Sequence, residues 1–130
     1  MTPSTSLVVS AALTLLMLLV ASLARARAWT PEGFKIALGN RDDVPPPSPF
    51  AARADRAGRN MVEGLVMFAA LLTAAGWADV PDAELLKPCA LFVYGRLVYA
   101  PLYWAGVKYL RTVAWAVSIA GLVRIALTML

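Results

Sequence analysis

Four stretches of mostly apolar residues, separated by short polar segments, dominate the pattern of this chain. They lie at about residues 7–24, 56–77, 88–108 and 112–130. A helix needs about 20 mostly apolar residues to cross the hydrocarbon layer of a membrane, and each stretch approaches or reaches that length. The pattern therefore predicts an all-α membrane protein, a four-helix transmembrane bundle that forms one domain over residues 1–130.

The first stretch has a competing interpretation as a cleaved signal peptide. Ala26-Arg27-Ala28 has small residues at the positions that a signal peptidase favours. However, the segment lacks a positively charged start, and its apolar run exceeds the roughly 7–15 residues of a signal core. We therefore interpret it as a retained span.

Composition and charge place the chain in the bilayer and orient it. Hydrophobic residues make up 60% of the 130 residues and charged residues only 15%, which is outside the range of soluble folds. The net charge of +4 does not indicate nucleic-acid binding, because the basic residues are concentrated in one loop at about residues 25–55 and the start of the next span. The positive-inside rule places this loop in the cytoplasm, with both termini on the other side; in a bacterium the membrane is the inner one. The residues concerned are Arg25, Arg27, Lys35, Arg41, Arg53, Arg56 and Arg59.

The chain has few groups suited to catalysis. It contains no histidine, and its single cysteine, Cys89, lies in an apolar stretch where we expect it to pack in the core. An intramolecular disulfide and a cysteine-rich metal site are therefore excluded, and we expect no metal. Any chemistry must use Arg, Lys, Tyr, Asp, Glu or a bound cofactor.

Polar residues nevertheless occur inside the second span. Arg56, Asn60 and Glu63 are spaced four and three apart, so they form one narrow stripe on a helix. If the Glu63 carboxylate were ionised and faced lipid, its burial in the hydrocarbon layer would cost on the order of several kcal/mol. Glu63 must therefore face protein or a ligand.

The third span offers matching groups in Arg96, Tyr99 and Tyr103, which follow one another at helical spacing. Because consecutive spans run in opposite directions, these residues lie at a depth similar to that of the polar stripe. We therefore predict an ion pair between Arg96 and Glu63. Such a cluster could simply hold the helices together, but its size favours a ligand site, and guanidinium groups favour an acidic small molecule.

The same residues carry a family resemblance. The segments Arg56-Ala57-Gly58-Arg59-Asn60-Met61-Val62-Glu63 and Arg96-Leu97-Val98-Tyr99-Ala100-Pro101-Leu102-Tyr103, together with Gly39-Asn40-Arg41 and Arg111-Thr112, resemble the MAPEG family, the membrane-associated proteins in eicosanoid and glutathione metabolism. The resemblance covers nearly the whole chain. It implies a four-helix bundle that assembles as a homotrimer and binds glutathione between neighbouring subunits near the cytoplasmic face.

The resemblance also implies roles for individual residues. Arg111 corresponds to the catalytic arginine beside the glutathione sulfur, although it could equally be an anchor at the end of the third span. The implied function is a glutathione-dependent transferase or peroxidase that acts on hydrophobic electrophiles from the bilayer. The alternatives are a non-catalytic protein of this fold that binds an anionic ligand or acts as a scaffold, and a small transporter. The implied glutathione-binding residues are Arg56, Asn60, Glu63, Arg96, Tyr99 and Tyr103.

Overall fold

The computed structural model describes all 130 residues as helices and connecting segments, without strands. Four of its five helices, α1, α3, α4 and α5, are long and apolar enough to cross a membrane. This confirms the predicted all-α, four-span architecture. The helices are α1 (Pro3–Ala26), α2 (Pro31–Leu38), α3 (Pro49–Trp77), α4 (Asp82–Trp104) and α5 (Lys108–Leu127).

The helices extend beyond the apolar stretches at their N-terminal ends. The Ser48 side chain accepts a hydrogen bond from the Ala51 amide at 3.1 Å, and Pro49 occupies the first turn of α3. Proline suits this position because the first turn has no intrahelical partner for its amide. In α4, Asp82 and Glu84 lie in the first turn, where negatively charged side chains interact favourably with the positive end of the helix dipole. Hydropathy alone therefore underestimates how far α3 and α4 reach into the polar zone.

The loop between α1 and α3 contains the short helix α2, which the apolar pattern did not indicate. The Thr30 hydroxyl accepts from the Gly33 amide at 3.0 Å, and Pro31 follows it in the first turn. Gly33 packs directly against the end of α1, because a Cβ on it would overlap the carbonyl oxygens of Ala26 and Arg27. The loop is therefore fixed to the bundle rather than merely crossing its surface.

Helices α4 and α5 pack so closely that their backbones are in contact at two glycines. A Cβ on Gly95 would lie 2.8 Å from the Ser118 amide nitrogen, and one on Gly121 would lie 2.7 Å from the Pro88 carbonyl oxygen. Small residues permit this close packing between helices in a membrane. The α4–α5 hairpin consequently forms a rigid pair, which holds the start of α5 beside the end of α4.

Helices α3 and α4 are antiparallel, and their seam brings the polar residues together. Phe68 and Phe92 stack in the middle of the seam with ring centroids 4.2 Å apart. From this stack towards the start of α3, earlier residues of α3 contact later residues of α4. The last of these contacts joins Arg53 to the carbonyl oxygen of Trp104. The start of α3, the end of α4 and the start of α5 therefore meet at one end of the bundle.

Candidate functional site

Arg53 and Arg56 join the start of α3 to the end of α4. The Arg53 Nε donates to the Trp104 carbonyl oxygen at 3.1 Å, and the Arg56 Nε donates to the Tyr103 hydroxyl oxygen at 3.3 Å. Arg56 itself remains exposed. This arrangement places Arg56, the first residue of the predicted polar stripe of α3, at the depth of Tyr103.

Arg96 lies deeper, in the seam between α3 and α4. It is only 1% exposed, and its Nη1 donates to the Asn60 side-chain oxygen at 2.6 Å. Its Cζ lies 5.4 Å and 5.5 Å from the ring centroids of Phe92 and Tyr99, within the range of cation–π attraction. Its Nε has no hydrogen-bond partner. The guanidinium is thus enclosed, but the chain does not satisfy all of its hydrogen-bond donors.

The predicted ion pair between Arg96 and Glu63 is wrong. The one ion pair in the structure joins Arg59 to Asp55 at 2.9 Å, and Glu63 is exposed. The reason is helix geometry, because Asn60 is one turn away from Gly64 on the face that borders α4. Glu63 precedes Gly64 by one residue, which turns its side chain about 100° away from that face.

Gly64 provides the space that Arg96 occupies. A Cβ at this position would lie 2.5 Å from the Arg96 Nη2 and 2.9 Å from its Cζ. The polar pattern of α3 does not by itself indicate a structural role for Gly64. One feature of the sequence could have indicated this role. Gly64 lies one helical turn after Asn60 on the same face of α3, so the absence of its side chain leaves room beside Asn60 for a large side chain from the neighbouring span.

Tyr103 lies between two arginines. The Arg111 Cζ is 4.2 Å from the centroid of the Tyr103 ring, while the hydroxyl of this ring accepts from Arg56. Tyr99 meets the Tyr103 ring edge-on, with centroids 5.3 Å apart. Arg111 therefore belongs to the same cluster as the α3 and α4 residues, although it comes from α5.

An open cleft of about 490 Å³ lies beside this cluster, between the start of α3 and the turn from α4 to α5. Arg56 and Arg111 line it, together with Arg53 and Lys108, which the sequence analysis had not included in the site. Arg53 was visible only as part of the basic loop. Lys108 could not be assigned to the cleft before the start of α5 was located.

Taken together, these residues present hydrogen-bond donors and positive charge. No group of histidine, cysteine, aspartate and glutamate side chains is arranged to hold a metal. Of the seven predicted site residues, six form two connected sets, one around Arg96 and one around Tyr103. Glu63 stands apart on the exposed side of α3. The sets are Arg96 with Asn60 and Tyr99, and Tyr103 with Arg56, Arg111 and, through its ring edge, Tyr99.

Comparisons with known proteins identify the family. Neither the curated proteins nor the solved structures gave a match to this chain. The sequence model of the MAPEG family, however, matches residues 4–130, nearly the whole chain. The match includes α1, which is therefore part of the family's domain rather than a segment outside it. This chain, an integral membrane protein with four spans, belongs to the MAPEG family.

Proposed function

We propose that this protein is a membrane-embedded, glutathione-dependent transferase or peroxidase that acts on hydrophobic electrophiles. The observation that carries the proposal is the position of Tyr103 between the Arg56 and Arg111 guanidinium groups. Membership of a family of glutathione and eicosanoid metabolism supports it. The cluster joins three helices at one end of the bundle, where a water-soluble peptide and a bilayer-dissolved compound can both arrive.

The charges of the site suit glutathione, which carries two carboxylates and one ammonium group. Arg56 is exposed and keeps donors free beyond its bond to Tyr103, so it can bind a carboxylate. Arg96 also has an unpartnered Nε, but this atom is buried within the chain, so Arg96 would reach glutathione only after its side chain moves. Glu63 can accept from the ammonium group. We propose these three residues, with Asn60, Tyr99 and Tyr103, as the glutathione-binding set.

Arg111 is the proposed catalytic residue. Bound glutathione supplies a thiol, and a free thiol with a pKa of about 8.5 is mostly protonated at neutral pH. A guanidinium next to the sulfur stabilises the nucleophilic thiolate. Arg111 is held over the face of Tyr103 at 4.2 Å, which fixes its direction without neutralising its charge.

We further propose that the active form is a homotrimer with glutathione at the contact between subunits. Glu63 is the middle residue of α3, 14 residues from Pro49 and 14 from Trp77, and it is exposed. A carboxylate facing lipid at this depth is costly. Val62 and Val66, one residue before and three after it, are exposed as well. A second copy of the chain, with glutathione, would cover this face of α3.

The second candidate function is binding of an anionic ligand without chemistry. It is favoured by the absence of any histidine and by the burial of the single cysteine, Cys89, away from the cluster. The chain itself then offers neither a thiol nor an imidazole in the site, so we propose that any activity depends on the thiol of the bound ligand. The two candidates share the binding site and differ in the reaction.

The deciding experiment is a glutathione titration of the purified protein in detergent, followed by thermal stability. We expect a saturable rise in the melting temperature, which is lost in Arg56→Ala and in Glu63→Gln. Arg59→Ala is the matched control, because Arg59 is an exposed cation on the same helix that pairs with Asp55. No stabilisation of the wild type refutes the proposal. Stabilisation without conjugation of a generic electrophile or reduction of a hydroperoxide favours the second candidate.

A further inference from the structure

The cleft beside Tyr103 and its two arginines is lined by positive charges and by no negative ones. Nine residues line it, and they include four cations and no acidic residue. The cations come from the start of α3 and the first turn of α5. They are Arg53, Arg56, Lys108 and Arg111.

None of these cations has a carboxylate partner. The only ion pair in the structure joins Arg59 and Asp55, outside the cleft. Arg53 donates its Nε to the Trp104 carbonyl oxygen, which leaves the other donors of its guanidinium free, and Lys108 is exposed. Like charges gathered in one cleft repel one another, so an anion is the natural counterpart.

The start of α5 adds to this positive potential. The caps of α1, α2 and α3 are Thr2, Thr30 and Ser48, whose side chains accept from first-turn amides, whereas Val107 before α5 cannot. The first turn of α5 contains no acidic residue and begins with Lys108. Free amides and the positive end of the helix dipole therefore add donors to those of the side chains.

The residues next to the cleft are those expected at the level of the lipid headgroups. Tyr109 lines the cleft, is 86% exposed, and has the amphipathic ring that is typical of the membrane–water interface. The exposed apolar run of α5 starts directly after it with Leu110 and Val113. An anion bound between Arg53 and Lys108 therefore lies where the phosphates of a bilayer lie.

We propose that this cleft is a binding site for a phosphate group, with Arg53 and Lys108 as its own ligands. The source of the phosphate is either an anionic phospholipid or free phosphate, and the experiment below distinguishes them. The cleft shares Arg56 and Arg111 with the proposed glutathione site, but Arg53 and Lys108 belong to neither the proposed glutathione-binding set nor the proposed catalytic group, and the test is made without glutathione. The glutathione titration can therefore fail while this site is confirmed, and the reverse also holds.

The test uses the full-length protein without glutathione in nanodiscs of phosphatidylcholine with an increasing fraction of phosphatidylglycerol. We expect the melting temperature to rise with phosphatidylglycerol. In the double variant Arg53→Gln/Lys108→Gln, the apparent affinity should fall about fivefold for each charge removed. The matched control is Arg27→Gln/Lys35→Gln, which removes two exposed cations of the basic loop that do not line the cleft. The control should keep most of the response.

A second arm uses inorganic phosphate with the protein in detergent. A rise in melting temperature that depends on Arg53 and Lys108 identifies free phosphate as a sufficient ligand, whereas a response only to phosphatidylglycerol identifies the lipid. The proposal is overturned if neither ligand stabilises the protein, or if the control double variant loses as much as the cleft variant. Should loss of the Arg53–Trp104 bond prevent folding, Lys108→Gln compared with Lys35→Gln makes the same distinction.

Discussion

Arg96 donates to the side-chain oxygen of Asn60 across the seam between α3 and α4, at 2.6 Å. The arginine is almost fully enclosed, and this is the one hydrogen bond that its guanidinium makes within the subunit. A buried charge with a single partner depends strongly on that partner, because the unpaired charge is costly in a low-dielectric interior. The bond therefore links the stability of the seam to the position of the site.

Removing the acceptor should destabilise the bundle. Asn60→Leu keeps a similar volume but leaves Arg96 without its partner, so we expect the free energy of unfolding to fall by about 1.5–3 kcal/mol. Asn60→Asp keeps an acceptor and adds a negative charge, and it should retain the stability of the wild type. Unfolding equilibria in mixed micelles without glutathione measure both. Equal stability of Asn60→Leu and the wild type would contradict this account.

Filling the space at Gly64 should displace Arg96. The added Cβ of Gly64→Ala lies 2.5 Å from the Arg96 Nη2, so the guanidinium must move, at a cost of about 1–3 kcal/mol. Gly76→Ala is the matched control in the same helix, because no atom lies within 4 Å of its Cβ. There alanine should be neutral or stabilise the helix by up to about 1 kcal/mol. The same micelle unfolding assay reads both signs, and a stabilising Gly64→Ala would exclude the proposed packing role.

Tyr103 combines two functions that substitutions can separate. Tyr103→Phe removes the hydroxyl that accepts from Arg56 but keeps the ring under Arg111, so glutathione should bind about fivefold more weakly. Tyr103→Leu also removes the ring, and the rate of conjugation at saturating glutathione should fall as well. Titration and steady-state kinetics distinguish the two effects. Identical kinetics of the two variants would show that the contact between the Arg111 guanidinium and the ring has no functional role.

The role proposed for Arg111 predicts a change in the pH dependence of conjugation. A guanidinium near the sulfur lowers the pKa of the bound thiol, so Arg111→Gln should return that pKa towards about 8.5. The rate should then fall at neutral pH and recover as the pH rises, with glutathione binding retained. Arg124→Gln, which removes a cation at the other end of α5, is the control and should keep the wild-type profile. A loss in Arg111→Gln that is the same at every pH would argue against thiolate stabilisation.

The exposed face of α3 should be the contact between subunits. Val66→Trp enlarges a side chain that is 64% exposed on this face, and we expect it to dissociate the proposed trimer into smaller species in native mass spectrometry. Val123→Trp is the control on α5, where the valine is 52% exposed. It should leave the assembly intact. An intact trimer in Val66→Trp together with a dissociated one in Val123→Trp would move the interface to α5.

Local patterns in the sequence were sufficient for the architecture. Four apolar stretches predicted four spans, and helical spacing placed Arg56, Asn60 and Glu63 on one stripe. The structure directs Arg56 and Asn60 of this stripe to α4, and leaves Glu63 exposed. The short helix α2 was missed because eight residues capped by Thr30 produce no span-length apolar signal. The span bounds also do not indicate where α3 and α4 begin, since hydrogen bonding and capping extend each helix into the polar zone before its apolar residues start.

The sequence by itself determined that this is a four-span membrane protein of the MAPEG family with arginines, an asparagine and tyrosines at one end of the bundle. Only the tertiary structure decided which of these groups meet. Arg96 bonds Asn60 rather than Glu63 because the missing side chain at Gly64 opens the seam for its guanidinium. Spacing along one helix determines the face on which a side chain lies. Its hydrogen-bond partner depends on the space that the side chains of the neighbouring helix leave open, and on the direction in which that space lies.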